Sequence, residues 1–486
     1  MKIFMNKWLK RIVYVILLVS LAMFIAFIYM LKLIPSKYFY AIIMACIVIA
    51  ILGGYLIFYK KPNSKRSVIT QLISMMLSCV LLIGSFYAYK FGRTVDLLTE
   101  TSFQKRAISV IVLKNSEIKN EKQIPNSQLG YISSIDSENM NYAVSQIKKD
   151  VGKFTLDDSK DFHEMVDELY SKKVDGIILD EAFRSLVEQY KSSFTKDTRV
   201  VYQMTKDESA VSAKSVDVTQ NPFLVYISGN DEYGDLSSIS RSDVNMLVGV
   251  NPKTHQILLI SIPRDTYYPL HMNGQLDKFT HSGLYGLQES IDTLQDIISE
   301  DINYYARMNF TSFIKIVDAL GGITVNSPQA FTTKIGKYKI KKGTNTLNAK
   351  QALAFVRERK SFIDGDFARG RNQQRMIAAI VKKVCSPAIL TSFSDVLDTV
   401  SQSVDMNFTT EELNSLMQMQ LSDMPSWDIQ SYQIIGSTDK LPCYSMGGVY
   451  ASVVVPSELS IQQAKEYIDD FMMNKTIQTE TGNLDQ

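Results

Sequence analysis

Cysteine, histidine and tryptophan are scarce in this sequence, with four, four and two residues among 486. The histidines are scattered, and no cysteine–histidine spacing typical of a zinc site occurs. Cys46 and Cys79 fall in long apolar runs, which leaves Cys385 and Cys443 in the rest of the chain. Whether these two form a disulfide stays open, because sequence separation does not determine the distance between them. A disulfide-rich scaffold and a Cys/His zinc protein are therefore excluded.

An excess of charge of one sign is also missing. Lysine and arginine number 52 against 50 aspartates and glutamates, which gives a formal net charge of +2. A chain so balanced lacks the strongly basic character of proteins that coat nucleic acid, so no nucleic-acid partner is expected. The sequence contains no P-loop and no Gly-x-Gly-x-x-Gly pattern, so a soluble nucleotide donor is not indicated.

Long apolar runs, in contrast, fill the N-terminal part of the chain. The uncharged segments are residues 12–31, 38–59 and 67–89. Each reaches the ~20 residues that an α-helix needs to cross a bilayer. The first run is too long, and is followed too closely by the others, for a cleaved signal peptide. The sequence therefore predicts three transmembrane helices in a membrane domain, residues 1–97.

Basic residues around these runs predict their orientation. They precede the first run or separate the second from the third: Lys2, Lys7, Lys10, Arg11, Lys60, Lys61, Lys65 and Arg66. The loop between the first two runs has only Lys32 and Lys37. Loops rich in lysine and arginine stay on the cytoplasmic side of a membrane. We therefore predict a multi-pass protein of the cell membrane, with a cytoplasmic N-terminus and a large extracellular C-terminal part.

The remainder of the chain alternates strand-like and helix-like patterns, which predicts the α/β class. Residues 98–216 are predicted to form a small α/β accessory domain. That domain has no catalytic motif, and it would bind a ligand or partner, or space the next domain from the membrane. Residues 217–475 are predicted to form a larger domain with a mixed central sheet flanked by helices. The polar tail, residues 476–486, is predicted to be disordered.

The start of the larger domain predicts a cluster of charges at the edge of its sheet. Two apolar segments, 244–250 and 256–262, are predicted to pair as a hairpin. Asp243 precedes the first and Arg264 follows the second, so both reach the same end of the sheet at ~3.3 Å per residue. Asp231 follows an earlier strand and is expected to join them at a usual place for ligand sites. The alternative is purely structural, with Asp231 in a turn and Asp243 as a strand cap.

Four arginines surround an Asp-Gly-Asp turn further along the chain: Arg357, Arg359, Arg369 and Arg371. Helical patterns lie on either side of the turn, and Gln373 extends the apolar stripe of the second helix toward its N-terminus. Guanidinium groups near a helix start suit a phosphorylated ligand, because both offer N–H donors and positive charge. The alternative is a solvated charged loop.

Several ordered motifs resemble the signature of the LytR–CpsA–Psr family over about residues 217–475. They are Gly229-x-Asp231, Arg241-Ser242-Asp243, Ile260-Ser261-Ile262-Pro263-Arg264-Asp265, Lys278-Phe279-Thr280-His281-Ser282-Gly283, Ile323-Thr324-Val325, Ala354-Phe355-Val356-Arg357-Glu358-Arg359 and Asp364-Gly365-Asp366-Phe367-Ala368-Arg369-Gly370-Arg371-Asn372-Gln373-Gln374. Three membrane spans before a small α/β domain resemble the streptococcal capsule-operon branch in particular.

The resemblance implies a membrane-anchored phosphotransferase on a Gram-positive cell surface. Such an enzyme would move capsular polysaccharide from a polyprenyl pyrophosphate carrier to peptidoglycan, with membrane lipid and other capsule-assembly membrane proteins as further partners. An apolar pocket would take the lipid, and Asp231 and Asp243 would hold Mg²⁺ or Mn²⁺. The residues implied for the pyrophosphate are Arg264, Lys278, Arg357, Arg359, Arg369, Arg371 and Gln373. Arg264, Arg357 and Arg359 are also the candidates for catalysis, and the required proton acceptor is assigned to Asp366 on chemical grounds.

The residue types fit this chemistry. Mg²⁺ is usually held by one or two carboxylates together with phosphate oxygens. Phosphoryl transfer depends mostly on positioning and on neutralising charge, which arginines do with fixed forks of donors. Asp366 is the candidate proton acceptor for the attacking sugar hydroxyl, with an N-cap role as the alternative.

Two other functions stay open. The motifs relate to the polyprenyl pyrophosphate carrier and give no information about the attached sugar. A ligase for teichoic acid or another wall glycopolymer therefore also fits them. A non-catalytic regulator or binding subunit of capsule biosynthesis and export is the alternative from a different class. The complete set of aspartates and arginines favours an enzyme.

Overall fold

The structure, a computed structural model, describes residues 7–58, 65–98, 104–230, 236–387, 389 and 393–480. Within these residues the chain forms three long N-terminal helices, a small α/β unit and a larger α/β unit. The larger unit has a mixed sheet flanked by helices, so the predicted fold class is confirmed.

Three helices begin the chain: α1 (Lys7–Leu31), α2 (Ser36–Phe58) and α3 (Lys65–Leu98). All three are long and apolar enough to cross a membrane. Apolar side chains such as Leu17 and Leu81 pack the three helices against one another. Many of their other apolar side chains face outward, as in helices that are surrounded by lipid.

The small unit is a five-stranded sheet with helices on both faces. Its elements are β1 (Lys105–Leu113), β2 (Gln128–Tyr131), α4 (Ser137–Val151), β3 (Thr155–Asp158), α5 (Phe162–Tyr170), β4 (Gly176–Asp180), α6 (Arg184–Tyr190), α7 (Phe194–Asp197) and β5 (Thr198–Asp207). The strand order is β3-β2-β4-β1-β5. Helices α5 and α6 cover one face of the sheet and α4 covers the other.

The larger unit begins at β6, and its elements follow in chain order. They are β6 (Phe223–Asn230), β7 (Val244–Asn251), β8 (Gln256–Ser261), β9 (Tyr267–Pro269), β10 (Leu276–Lys278), α8 (Phe279–Ser282), α9 (Leu287–Ile298), β11 (Tyr304–Asn309), α10 (Phe310–Ala319), β12 (Ile323–Ser327), β13 (Phe331–Thr332), β14 (Lys339–Ile340), β15 (Gly343–Leu347), α11 (Ala349–Arg357), α12 (Asp366–Val384), α13 (Phe393–Ser401), β16 (Asp405–Met406), α14 (Thr410–Asp423), β17 (Asp428–Gln433), β18 (Gly436–Cys443), β19 (Val449–Pro456) and α15 (Glu458–Met472).

Six strands form the central sheet in the order β16-β11-β6-β7-β8-β17. Strands β6, β8, β11 and β17 run in one direction, and β7 and β16 run in the other. The predicted hairpin of β7 and β8 is confirmed, and it pairs Asn251 with Gln256 beside the turn. The carboxyl ends of four parallel strands therefore meet at one edge of the sheet, a usual place for a ligand site.

Apolar side chains fill both faces of this sheet, because successive residues of a strand point to opposite sides. On β6, Leu224 and Tyr226 pack toward α9 and α15, whereas Phe223 and Val225 pack toward α12 and α14. All four side chains are buried. Burial of such a side chain contributes ~1.5–3 kcal/mol, so the two cores hold the helix–sheet–helix sandwich together.

Strand β11 was not predicted from the sequence, which placed residues 304–309 between two helices. In the structure this segment runs parallel to β6. Arg307 stands in its centre, where a buried strand usually has an apolar residue. It is 7% exposed and lies 3.3 Å from Asp405 of β16, so a neighbouring strand supplies the compensating charge.

The C-terminal tail departs from the predicted disorder over residues 476–480. Ile477 and Thr479 are buried. Their backbone N–H groups donate to the side-chain oxygens of Gln256 at 2.9 Å and Gln430 at 3.2 Å. This part of the tail is ordered because it supplies one apolar side chain and satisfies two buried glutamines. The remainder of the predicted tail lies outside the described residues.

The larger unit contacts one end of the three-helix bundle at two places. On α3, Lys90 and Thr94 donate to Asp398 of α13 at 2.5 and 2.7 Å. In the α1–α2 loop, the carbonyl of Ile34 accepts from Gln418 of α14 at 3.2 Å. Because short connections join the three helices, this loop and the C-terminal end of α3 lie on the same side. The larger unit therefore lies opposite the N-terminal ends of α1 and α3.

Cys385 and Cys443 are both free thiols. Burial raises the pKa of Cys385 to about 11. Burial, together with the nearby carboxylate of Asp277, raises the pKa of Cys443 to about 12. As free thiols they form no disulfide with each other, and both pKa values lie well above neutral pH.

Candidate active site

Arg357 and Arg359 come from the end of α11. The helix begins with a capping box, in which Asn348 and Gln351 exchange side-chain and backbone hydrogen bonds. The helix ends at Arg357, and the chain continues in an extended conformation. The guanidinium carbon of Arg357 is 4.1 Å from the ring centre of Phe310, a cation–π contact that orients the donors. Arg359 is 47% exposed and remains available to a ligand.

Arg369 and Gln373 lie one turn apart on α12. Gly365, with φ at 45°, turns the chain into this helix, a backbone conformation that favours glycine. Gly365 is also the N-cap, and Asp366 is the first helical residue. The alternative N-cap role for Asp366 is therefore wrong.

Gly370 brings α12 onto the carboxyl edge of the sheet. A Cβ atom at this position would stand 2.2 Å from Nε2 of Gln433 and 2.9 Å from Oγ of Ser261. Those residues end β17 and β8, so a larger residue at position 370 would have to displace the side chains of Gln433 and Ser261. The contact places Arg369 and Gln373 beside the strand ends.

Arg264 is the cation at the centre of the site. Its Nη1 lies 2.6 Å from Oδ1 of Asp243, so the structure joins these two residues as the strand lengths predict. Its Nε lies 3.7 Å from Asp265 and 4.0 Å from Asp366. Burial alone would lower the pKa of Arg264, but the three carboxylates raise it overall. The guanidinium is therefore permanently charged.

Asp366 connects the two arginine segments. Its carboxylate lies 3.0 Å from Arg369, 3.8 Å from Arg359 and 4.0 Å from Arg264. Three guanidinium groups thus surround one carboxylate, which holds them close together despite their like charge. Phosphate oxygens would compete for the same donors.

A buried segment behind Arg264 fixes its backbone. The N–H of Thr280 donates to the carbonyl of Arg264 at 2.9 Å, and the carbonyl of Thr280 accepts from the N–H of Ser242 at 3.2 Å. Nδ1 of His281 lies 2.6 Å from Asp277, and both side chains are almost fully buried. Burial alone would raise the pKa of Asp277, but His281 and other hydrogen-bond partners lower it overall. This buried hydrogen bond keeps the segment in place.

These elements enclose one cavity of about 280 Å³. It is lined by Val244, Arg264, Phe310, Lys334, Ile335, Ala354, Val356, Arg357, Glu358, Arg359, Lys360, Arg369 and Gln373. Six of these residues are cationic, one is acidic, and five are apolar. The cavity therefore combines strong attraction for an anion with an apolar wall.

Five of the seven predicted pyrophosphate residues line this cavity, and two do not. Lys278 lies behind Arg264, where its Nζ donates to Asp265 at 3.0 Å. Arg371 pairs with Asp364 at the rim. Positions two apart on a helix differ in direction by ~200°, so Arg371 points away from the face that Arg369 presents to the cavity.

Of the two predicted metal ligands, the structure describes only Asp243. Asp231 lies outside the described residues. Within the described part of the chain, no three His, Cys, Asp or Glu side chains are grouped as a metal site. Asp243 is buried, and Oδ1 of Asn230 is buried without a hydrogen-bond partner among the described residues. Asn230 follows Gly229 and Asp243 precedes Val244, and Gly229 and Val244 are paired, so the two side chains come from adjacent strand ends at this edge of the sheet. Amide and carboxylate oxygens fit Mg²⁺, which takes oxygen ligands and completes its shell with phosphate and water.

The cavity residues that sequence analysis did not assign to the site include Lys334, Ile335 and Lys360. The first two belong to the β13–β14 hairpin. The buried carboxylate of Glu358 accepts from the N–H of Lys334 at 2.5 Å and so ties the hairpin to the end of α11. A run of five lysines in residues 334–342 was the available signal. Nothing in that run shows that the hairpin folds beside the arginines.

A second cavity, of about 220 Å³, lies at the opposite end of the sheet. Its lining is largely apolar and includes Val250, Ile257, Leu416 and Trp427. The same four residues belong to the core between the sheet and α12 and α14. Helix α14 also bonds to the α1–α2 loop through Gln418, so this cavity lies near the membrane helices.

Fold and cavity together define a class of protein. It is a membrane-anchored α/β protein whose sheet edge presents an arginine-rich site suited to an anionic ligand with an apolar part. The chain matches the sequence model of the LytR_cpsA_psr family over residues 186–466, more than half of its length. It therefore belongs to the LytR–CpsA–Psr family and is a transferase.

Proteins that the chain resembles are also named as transferases. It is 36% identical to a polyisoprenyl-teichoic acid–peptidoglycan teichoic acid transferase, TagU, of Bacillus licheniformis over 230 residues, which cover 47% of this chain and 69% of that protein. It is 37% identical to TagU of Bacillus subtilis over 228 residues, 46% of this chain and 69% of that protein. The crystal structure of B. subtilis TagU aligns with 53% of this chain and 100% of that one, with 30% identity and a TM-score of 0.41.

Proposed function

We propose that this protein transfers capsular polysaccharide from a polyprenyl pyrophosphate carrier to peptidoglycan at the outer face of the membrane. The observation that carries the proposal is the cavity in which Arg264, Arg357, Arg359 and Arg369 converge beside an apolar wall. A polyprenyl pyrophosphate has the matching form, because two charged phosphates adjoin an apolar chain.

In the proposed reaction, a sugar hydroxyl of peptidoglycan attacks the phosphorus that bears the polysaccharide. The new phosphorus–oxygen bond completes a phosphodiester, the bond to the bridging oxygen breaks, and polyprenyl phosphate leaves. The arginines neutralise charge on the transferred and leaving phosphates, which is the main requirement of this chemistry. Mg²⁺ held by Asp231, Asp243 and the amide oxygen of Asn230 would add further positive charge there.

Asp366 is the proposed acceptor of the hydroxyl proton. Before substrate binds, its carboxylate is engaged by Arg264, Arg359 and Arg369. A pyrophosphate carries more negative charge than one carboxylate, so its oxygens would accept the hydrogen bonds of those guanidinium groups in place of Asp366. Binding of the carrier thus releases the carboxylate beside the reacting phosphorus, where it acts as a general base.

The apolar wall explains recognition of the lipid part. Phe310, Ile335, Ala354 and Val356 adjoin the arginines directly, so they receive the first isoprene units after the pyrophosphate. The second, apolar cavity lies beside α14 and the membrane helices. We assign it to a more distant part of the carrier chain.

Orientation is the next part of the proposal. The larger unit lies on the side opposite the N-terminal ends of α1 and α3, and basic residues concentrate at those ends. Basic segments stay in the cytoplasm, so the catalytic domain faces outward. Peptidoglycan and the carried polymer are accessible there.

The choice of capsular polysaccharide rests on the organisation of the chain. Three spans and an accessory domain before the catalytic domain resemble the streptococcal capsule-operon branch. Teichoic acid is the second candidate, since the similar proteins of Bacillus are named teichoic acid transferases. A non-catalytic role in capsule export is disfavoured by the complete arginine cluster and by family membership.

One experiment distinguishes these functions. The gene is deleted in its host, and glycopolymers in the wall fraction and in the culture medium are quantified. We expect capsular polysaccharide to move from the wall to the medium, with wall teichoic acid unchanged. Release of teichoic acid instead would select the second candidate. If both polymers stay attached to the wall in the deletion strain, the protein transfers neither capsular polysaccharide nor teichoic acid, and the proposal is wrong.

A further inference from the structure

The accessory domain and the catalytic domain share one hydrophobic core. Ile239 and Leu284 of the catalytic domain are buried in the same cluster as Phe162 and Phe183 of the accessory domain. The ring of Tyr285 meets Phe183 edge-on, with centres 5.6 Å apart. A domain that merely spaced the catalytic unit from the membrane would not require such a continuous core.

The start of β1 is bonded directly to the catalytic domain. The N–H of Lys105 donates to the carbonyl of Ser237 at 2.8 Å, and Lys105 forms a parallel bridge with Ser238. Oε1 of Gln104 accepts from the N–H of Leu287 at 2.7 Å, at the first turn of α9. Both contacts fall on segments that lead to the active site.

Arg106 fastens this junction. Its side chain is fully buried, and its nitrogens lie 2.5 Å from Asp180, 2.6 Å from Glu208 and 3.3 Å from Asp136. It also donates to the carbonyl of Leu284 in the catalytic domain at 3.3 Å. Movement of this residue would leave its own buried guanidinium and the buried carboxylate of Asp180 without compensation, so the junction is rigid.

Two segments run from this junction to the catalytic residues. Residues 236–241 continue directly into Ser242 and Asp243. Residues 283–287 follow the segment whose Thr280 bonds to Ser242 and Arg264. The two segments touch at Gly283, where a Cβ atom would stand 2.7 Å from the carbonyl oxygen of Ser240. Displacement of either segment would therefore displace the other.

We propose that the accessory domain is a positioning element of the transfer reaction. It holds residues 236–241 and 283–287 so that Asp243 and Arg264 keep their pairing at the sheet edge. Ile239 is the key positioning residue, because its buried side chain anchors the loop four residues before Asp243. The inference rests on the proposed function for its readout of turnover.

The test uses the full chain in detergent and truncates Ile239 in steps. The substrate is a farnesyl pyrophosphate-linked disaccharide with a peptidoglycan fragment as acceptor. We expect kcat to fall about twofold in Ile239→Val and about tenfold in Ile239→Ala, with Kd for the donor within twofold of wild type. If Ile239→Ala does not fold, amide exchange of residues 236–243 is compared between Ile239→Val and Leu186→Ala, and exchange no faster in Ile239→Val would overturn the proposal.

Leu186→Ala is the matched control. Leu186 lies in the same core, on α6 of the accessory domain, and is 4% exposed. We expect a loss of melting temperature similar to that of Ile239→Ala, with kcat within twofold of wild type. Wild-type kcat in Ile239→Ala, or an equal loss of kcat in Leu186→Ala, would overturn the proposal.

A second measurement separates this inference from the proposed function. Amide hydrogen exchange of residues 236–243 is followed in the same variants without substrate. Faster exchange in Ile239→Ala than in Leu186→Ala is expected even if the wild-type chain shows no turnover. Equal exchange in the two variants would overturn the positioning role on its own.

Discussion

Arg264 and Asp366 show how single residues organise the site. Each lies within 4.0 Å of the other, and each contacts further groups of opposite charge. Alternating carboxylates and guanidinium groups let several arginines gather where their mutual repulsion would otherwise separate them. A pyrophosphate would supply these arginines with negative charge that the carboxylates supply here. The guanidinium groups therefore need little rearrangement to bind such an anion.

The positions of Arg359 in the cavity lining and of Arg371 outside it lead to the first prediction. Arg359→Lys keeps the charge but loses the planar fork, so we expect turnover of a short-chain polyprenyl pyrophosphate donor to fall about tenfold. Arg371→Lys is the matched control, because Arg371 lies outside the cavity and pairs with Asp364. Its turnover should stay within about twofold of wild type. Equal losses in the two variants would show that Arg371 also contacts the pyrophosphate.

The second prediction concerns the metal side of the site. Asp243→Asn should lower turnover by about two orders of magnitude while donor binding partly survives, because the arginines and the apolar wall remain. The cost in stability should be less than the ~3–5 kcal/mol of a fully buried pair, since Arg264 keeps Asp265 and Asp366. Turnover, donor binding and melting are measured together.

EDTA and a surface variant complete that test. Wild-type turnover should be lost in EDTA and restored by Mg²⁺. Asp439→Asn, at an exposed position on β18, should behave as wild type. Undiminished turnover in Asp243→Asn, or wild-type turnover indifferent to EDTA, would leave the arginines as the electrostatic catalysts.

At the scale of elements, the site depends on contacts between segments that are distant in sequence. Helix α12 reaches the sheet edge through Gly370, and the β13–β14 hairpin reaches α11 through Glu358. The second oxygen of Glu358 accepts from the N–H of Ser361 at 3.0 Å. One buried carboxylate therefore fixes both the hairpin and the chain that follows Arg359.

The third prediction uses a graded series at Glu358. Glu358→Gln keeps one acceptor and should lower turnover about threefold, whereas Glu358→Ala removes both and should lower it about tenfold. The physical reason is that two N–H donors lose their partners, at ~1–3 kcal/mol for each that stays buried. Turnover and amide exchange of residues 331–341 are measured. Glu411→Ala, at an exposed site of α14, is the control, and a loss as large there would contradict the assignment.

At the scale of the whole molecule, the membrane helices and the catalytic domain form one continuous body. The bonds from Asp398 to α3 and from Gln418 to the α1–α2 loop place the catalytic domain at one end of the bundle. The accessory domain joins the same body through the core around Ile239. A lipid in the membrane leaflet next to this end of the bundle would therefore be close to the apolar cavity beside α14.

The fourth prediction tests the orientation of this body. A reporter enzyme that is active only outside the cytoplasm should be active when fused after Tyr89 and inactive when fused at Asn63, and a reporter that is active only in the cytoplasm should give the reverse pattern. The reason is the basic segment between the second and third spans. Protease treatment of intact cells provides the control for accessibility. Cytoplasmic activity at both positions would remove the proposed wall-transfer function.

Much of the local structure could be predicted from the sequence. Periodicity located the three apolar helices, the β7–β8 hairpin and the helices that flank the arginines. Strand lengths also predicted that Asp243 and Arg264 would meet. These features depend on residues close in the chain or on one hairpin, so spacing is sufficient to define them.

Long-range contacts explain what the sequence could not show. Strand β11 was missed because Arg307 is neutralised by a distant residue, Asp405, and the tail was misjudged because Ile477 packs on β8. Arg371 was assigned to the ligand since sequence alone does not tell which face of α12 meets the cavity.

The sequence by itself determined the class of the protein, its membrane helices and the residue types of its site, because these follow from composition, periodicity and ordered motifs. Only the tertiary structure decided which arginines face the cavity, that Glu358 brings a lysine-bearing hairpin beside them, and that the accessory domain shares a core with the catalytic domain. The physical reason is that burial and pairing between distant residues are properties of the packed chain, and no local pattern encodes them.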